Sequence, residues 1–141
     1  MKYRILSHTA DLRLEVYGKT LEELFINAAE ALARILYEQS ESTEFSALPK
    51  ARQLLSEKIE IQSVNMNTLL VDFLNEILAR SHINKAVYKV ESLKLKGNAV
   101  EAKSMGKKVE QFDEDVKAVT YHEVDIKEEK GMWHTTLILD I

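Results

Sequence analysis

Two places in the sequence bring together residue types that bind cations. His8-Thr9-Ala10-Asp11 sets an imidazole and a carboxylate three residues apart, just before an alternating strand pattern, where a turn can aim both at one point. Leu137-Ile138-Leu139-Asp140-Ile141 closes the sequence with a carboxylate side chain next to the α-carboxylate. Each also has an ordinary structural explanation: Asp11 can satisfy turn N–H groups while His8 rests on the surface, and a strand end can simply be acidic. A third candidate is Lys117, at the mouth of Lys117-Ala118-Val119-Thr120-Tyr121-His122, an amphipathic strand pattern. Most lysines in such positions are solvated, with the stem laid along the surface.

Other chemistry is largely excluded. The chain has no cysteine, so disulfides, thiolate metal sites and thiol nucleophiles are absent, and a reducing compartment fits best. Four glycines leave little room for a phosphate-cradling loop, and there is no GxGxxG, P-loop, GxSxG or HExxH motif. His82, His122 and His134 are scattered and receive no catalytic role. A net charge of −4 supplies no bulk attraction for nucleic acid. These absences leave little chemistry that the chain could run alone.

The elements that must position the candidates are readable from periodicity. Leu12, Leu14 and Val16 alternate with Arg13, Glu15 and Tyr17 as in a strand with one face on a core, ended by Gly18. Thr20 with Glu23 forms a capping box, and Leu21, Leu24, Phe25, Ala28, Leu32, Ile35 and Leu36 then recur as one helical stripe, with Glu30 and Arg34 free to pair outside. Glu38 to Arg52 is polar, holds the only proline and reads as a loop. Ile59 and Ile61 mark a strand, and Leu70, Phe73, Leu74, Ile77 and Leu78 a second helix, with Glu76 and Arg80 toward water. Val87–Leu95 and Ala99–Ser104 read as a hairpin turning at Gly97-Asn98, with a bulge where apolar parity shifts between Val90 and Leu93. Lys117–Lys127 and Trp133–Ile141 read as strands joined by a turn at Glu128-Glu129-Lys130-Gly131. The expectation is a single α+β domain over residues 1–141, a largely antiparallel sheet with two amphipathic helices packed on one face.

His8-Thr9-Ala10-Asp11, Gly18-Lys19-Thr20-Leu21-Glu22-Glu23-Leu24-Phe25 with Asn27-Ala28-Ala29, Leu70-Val71-Asp72-Phe73-Leu74-Asn75-Glu76, Lys117-Ala118-Val119-Thr120-Tyr121-His122 and the final Leu139-Asp140-Ile141 together resemble the archease family in order, spacing and length. One departure is Arg13, where archeases often carry glycine, which bears on the rim of the site. The resemblance implies an archease fold and a protein cofactor, not an enzyme. Its partner would be the RNA-splicing ligase that joins 2′,3′-cyclic phosphate or 3′-phosphate ends to 5′-hydroxyl ends in tRNA splicing and RNA repair. The cofactor would promote guanylylation of the ligase by GTP, which the partner consumes, and so allow multiple turnover.

The same resemblance implies a metal site at Asp11, Asp140 and Ile141, the last through its terminal carboxylate or carbonyl oxygen. Lys117 falls on a residue needed for activation, and His8 stands beside the site. An all-oxygen donor set suits a hard divalent cation, with Ca2+ expected first and Mn2+ or Mg2+ as alternatives; His8 leans toward Mn2+. Two other readings remain: a tRNA-binding module using Lys94, Lys96, Lys103, Lys107 and Lys108, and a metal-dependent phosphoesterase built on Asp11, His8 and Asp140. Neither direct nucleic-acid binding nor membrane association is expected. The N-terminal segment lacks the apolar stretch of an export signal, so a cytoplasmic location is expected.

Overall fold

The computed structural model describes residues 2–8, 11–38 and 54–141, the side chains of residues 6–8 and 54 excepted. Beyond Glu38, the expected loop to Arg52 lies outside the described residues. The elements run β1 (Tyr3–His8), β2 (Asp11–Gly18), α1 (Leu21–Leu36), β3 (Leu54–Gln62), α2 (Met66–Asn84), β4 (Ala86–Lys96), β5 (Ala99–Lys108), β6 (Ala118–Thr120), β7 (Lys127–Glu129) and β8 (Met132–Asp140). Every pairing among them is antiparallel. The strands divide into two sheets, where the sequence suggested one. The larger has the order β1-β2-β8-β6, with β7 also on β8, and the smaller has the order β3-β5-β4.

Helix α1 packs on both sheets, through β2 and β4, and α2 touches β3, β4, β5 and β6. Leu12, Leu14, Val16, Leu137 and Leu139 from the larger sheet and Ile59, Tyr88, Val100 and Ala102 from the smaller meet Leu24, Phe25, Leu32, Phe73 and Leu74 in one continuous core. The Phe25 and Phe73 rings join the helices at 5.8 Å between centroids. Gly18 ends β2 because the first turn of α1 passes directly over it; a Cβ there would sit 2.8 Å from Leu24 Cα. Thr20 Oγ1 accepts the Glu23 N–H at 3.0 Å as a capping box requires, while the Glu23 carboxylate accepts from Lys19 N at 3.3 Å, one residue earlier than the usual reciprocal bond. Glu30 bonds Lys2 at 3.0 Å. The bulge in β4 lies between Val90 and Ser92.

Two strand boundaries differ from the periodicity reading. The stretch expected as one strand from Lys117 to Lys127 is two three-residue strands on the same edge of β8, separated by a turn in which Glu123 has φ +62°. Side chains take over where the ladder stops: Asp125 N donates to Thr135 Oγ1 (2.9 Å) and Ile126 N to Asn67 Oδ1 (2.8 Å). Glu128 and Glu129 belong to β7, so the turn contracts to Lys130-Gly131, both at positive φ as a tight hairpin demands. Strand β1, which no periodicity announced, covers the far edge of β2. No helix among the described residues is long and apolar enough to cross a membrane.

Candidate functional site

Strand β8 gathers the candidates at one corner of the larger sheet. Its Asp140 lies directly opposite Asp11 of β2 on one side and Ala118 of β6 on the other. Lys117 N then donates to the Asp140 carbonyl at 2.7 Å, which fixes the start of β6 against the end of β8. Leu12, Val119 and Leu139 are buried, so by strand alternation Asp11, Ala118 and Asp140 share the outer, solvent face, where both acids are exposed. Ile141 packs in part against the core, which anchors its main chain beside Asp140. Lys117 is exposed, and among the described residues its ammonium pairs with no carboxylate. The His8 backbone pairs with Leu12, one residue from Asp11; its side chain lies outside the described residues.

Directly opposed residues hold their Cβ atoms about 4.5–5.5 Å apart, and like charges there repel. Asp11 and Asp140 form such a pair, which a bound cation would relieve, and both carboxylates can reach one hard ion. The oxygen donor set therefore fits the expected metal. No group of three or more His, Asp or Glu side chains converges among the described residues, so side chains alone would leave most of the coordination sphere to main-chain oxygens, water or a partner.

Lys117 owes its placement to α2. Strand β6 is an edge strand of three residues, too short to hold itself by ladder bonds. The Asn75 carboxamide completes it: Val119 N donates to Asn75 Oδ1 and Asn75 Nδ2 to the Val119 carbonyl, each at 2.8 Å. His82 Nε2 contacts the Val116 carbonyl at 2.9 Å while its ring meets Phe112 edge-on. Tyr121 donates to Asp72, a bond that raises the Tyr121 pKa, and Asp72 also accepts from Ser63 Oγ at 3.0 Å. Together with Asn67 under Ile126, four polar side chains of α2 hold residues 116–126 along the helix. Sequence reading missed this set. Its one visible signal was polar residues recurring on a helix otherwise apolar at the same spacing. Arg80, expected in water, is half-buried between Glu57 and Glu76, 2.8 Å from each.

The outer face around the corner is covered by ion pairs. Arg13 Nη1 reaches Glu123 Oε2 at 2.5 Å, and Arg4 bonds Glu15, whose pKa is lowered by the Tyr17 hydroxyl and by Arg4. The lysines considered for nucleic acid do not form an unbroken patch. Lys107 is buried with its ammonium 5.3 Å from the centre of the Tyr37 ring, Lys94 stands opposite Glu101, and Lys58, beside Lys103, pairs with Glu60.

Residues 3–141 match the family model described as the archease protein family (MTH1598/TM1083). Among curated proteins, the protein archease of Pyrococcus abyssi is 31% identical, covering 95% of this chain and 94% of the relative. That of Methanosarcina barkeri is 28% identical, covering 99% and 96%. The solution structure of Methanobacterium thermoautotrophicum protein 1598 superposes with a TM-score of 0.69 at 26% identity, over 99% of this chain and 98% of that one. A Thermotoga maritima crystal structure titled an archease, possible chaperone (TM1083), shares the fold with a TM-score of 0.62 at 19% identity, over 96% and 94%.

Proposed function

The chain belongs to the archease family, and from that premise we propose that it activates the RNA-splicing ligase that seals 2′,3′-cyclic phosphate or 3′-phosphate ends to 5′-hydroxyl ends. In this reading it catalyses no reaction alone. It promotes guanylylation of the ligase by the partner's GTP and supports repeated turnover in tRNA splicing and RNA repair, in the cytoplasm. The observation that carries the reading is the strand register that sets Asp11, Asp140, Ile141 and Lys117, from three distant stretches of sequence, at one exposed corner.

Asp11 and Asp140 would hold a divalent cation through their carboxylates and Ile141 through a main-chain oxygen, with Ca2+ the first candidate and Mn2+ or Mg2+ the alternatives. Such an ion supplies positive charge with open coordination positions that suit phosphate or carboxylate oxygens. Lys117 presents a second, mobile positive charge next to the corner and stabilises phosphate charge on the docked partner. Asn75 acts on Lys117 from behind, by fixing β6. His8, on the neighbouring strand, flanks the corner. The acidic net charge suits docking against a basic RNA-binding ligase, without direct RNA contact by this chain.

The test is guanylylation of the ligase with GTP, with and without this protein at substoichiometric amounts. Faster labelling and more than one ligation per ligase molecule are expected. An unchanged rate would overturn the proposal.

A further inference from the structure

We propose that the Arg13–Glu123 ion pair sets the cation affinity of the Asp11–Asp140 corner by holding the Arg13 guanidinium away from the two carboxylates. The inference rests on the metal-site reading above and adds an internal regulator to it. On the outer face, Asp11–Asp140–Ala118 form one row and Arg13–Ile138–Thr120 the row behind it. Two residues along a strand span about 7 Å, a gap that the long arginine stem crosses easily. A released Arg13 would find the Asp11 and Asp140 carboxylates, either of which a guanidinium can bind through two parallel N–H donors. It would then occupy the ground a divalent cation needs.

Glu123 prevents this. The ion pair bridges the sheet from β2 past β8 to the turn beyond β6, joining residues far apart in sequence at 2.5 Å. Ile138, in the same row as Arg13, is only 9% exposed although it lies on the solvent face, as expected if the bridge covers it. The turn that presents Glu123 is itself pinned: His122 N donates to Thr120 Oγ1 at 3.3 Å, Tyr121 bonds Asp72, and Glu123 adopts φ +62°.

Calorimetric titration of Ca2+ and of Mn2+ into the wild type, Glu123→Gln, Arg13→Gln, the double variant and Asp140→Asn tests this, with circular dichroism confirming the fold of each. Glu123→Gln should weaken binding roughly two- to fivefold, the range of an exposed charge pair, and Arg13→Gln should strengthen it. In the Arg13→Gln background, Glu123→Gln should lose most of its effect, because its action passes through Arg13. Equal effects of Glu123→Gln in both backgrounds would overturn the inference, leaving Glu123 as one negative charge among many. Unchanged affinity in Asp140→Asn would instead overturn the metal-site reading itself.

Discussion

Helices α1 and α2 both lie against the sheets, yet they hold their surroundings by different means. The buried face of α1 is apolar except for Asn27, which donates to the Tyr17 carbonyl at 2.7 Å. Helix α2 also buries Leu70, Phe73, Leu74 and Ile77, but Asn67, Asp72, Asn75 and His82 reach the main chain or side chains of residues 116–126. Apolar contact is non-directional and stabilises the whole domain; a bidentate amide holds one strand at one position. The difference separates what keeps the chain folded from what places Lys117.

Cutting into α1 should have the largest effect. Phe25→Ala removes a fully buried ring from the contact with Phe73 and should cost about 3–5 kcal/mol of stability. Denaturant unfolding would show it, and amide exchange would quicken throughout the core. A loss confined to α1 would break the comparison by making that helix a local element too.

Asn75→Ala should act next, and locally. It leaves the Val119 N–H and carbonyl without their partners, at a cost of about 1–3 kcal/mol. Hydrogen exchange should quicken at Val119 and its neighbours while the amides of α1 keep their protection, and ligase activation should fall because β6 no longer fixes Lys117. Equal exchange at Val119 in variant and wild type would show that β8 alone is enough to hold β6.

Where the far end of α2 meets the smaller sheet, Tyr88 of β4 and Glu57 of β3 add a pH dependence that Asn84 of the helix opposes. Tyr88 donates to Glu57 and receives Asn84 Nδ2 at 2.7 Å, and burial first, then the bond to Glu57, pushes its pKa from 10 up to about 12. Because the folded state retains this proton longer than the unfolded chain, the contribution is fully present below pH 10 and is lost as pH rises toward 12. Denaturation midpoints of wild type should therefore fall more steeply through that window than those of Tyr88→Phe. Parallel curves would assign the hydroxyl no proton-linked part in the attachment.

The contrast between the helices also explains what the sequence made legible. Strand β2, helix α1, the β4–β5 hairpin and its bulge were readable because alternation, a capping threonine and Gly97-Asn98 are local signals. Residues 121–126 were not, because whether a β-branched run continues as a strand depends on Asn67 and Thr135 supplying bonds from elsewhere in the fold. The division into two sheets was hidden for the same reason. Nothing in the spacing of Asp11 and Asp140 announces that they face one another, since that pairing exists only once β2 lies on β8. The resemblance to archeases joined them; periodicity alone left each as an acid at a strand end.

Lys117→Ala should have the smallest effect on stability and the sharpest on function. Its side chain is exposed and, among the described residues, holds no ion pair, while its structural contribution is the N–H to the Asp140 carbonyl, which alanine keeps. An exposed ammonium without a partner adds little to folding. Circular dichroism and thermal melting should match the wild type, and exchange at Val119 should stay slow, in contrast to Asn75→Ala. Guanylylation of the ligase should nevertheless drop sharply, because a positive charge aimed at developing phosphate charge counts for most where water is excluded by the docked partner. Lys117→Arg keeps the charge and should retain part of the activity. If Lys117→Ala activates as well as the wild type, the lysine is solvated surface, and the charge that assists the ligase must come from the cation at Asp11 and Asp140 alone. If it melts early, the side chain is part of the packing of β6, and the division between the element that folds the chain and the element that aims it would have to be redrawn at Lys117.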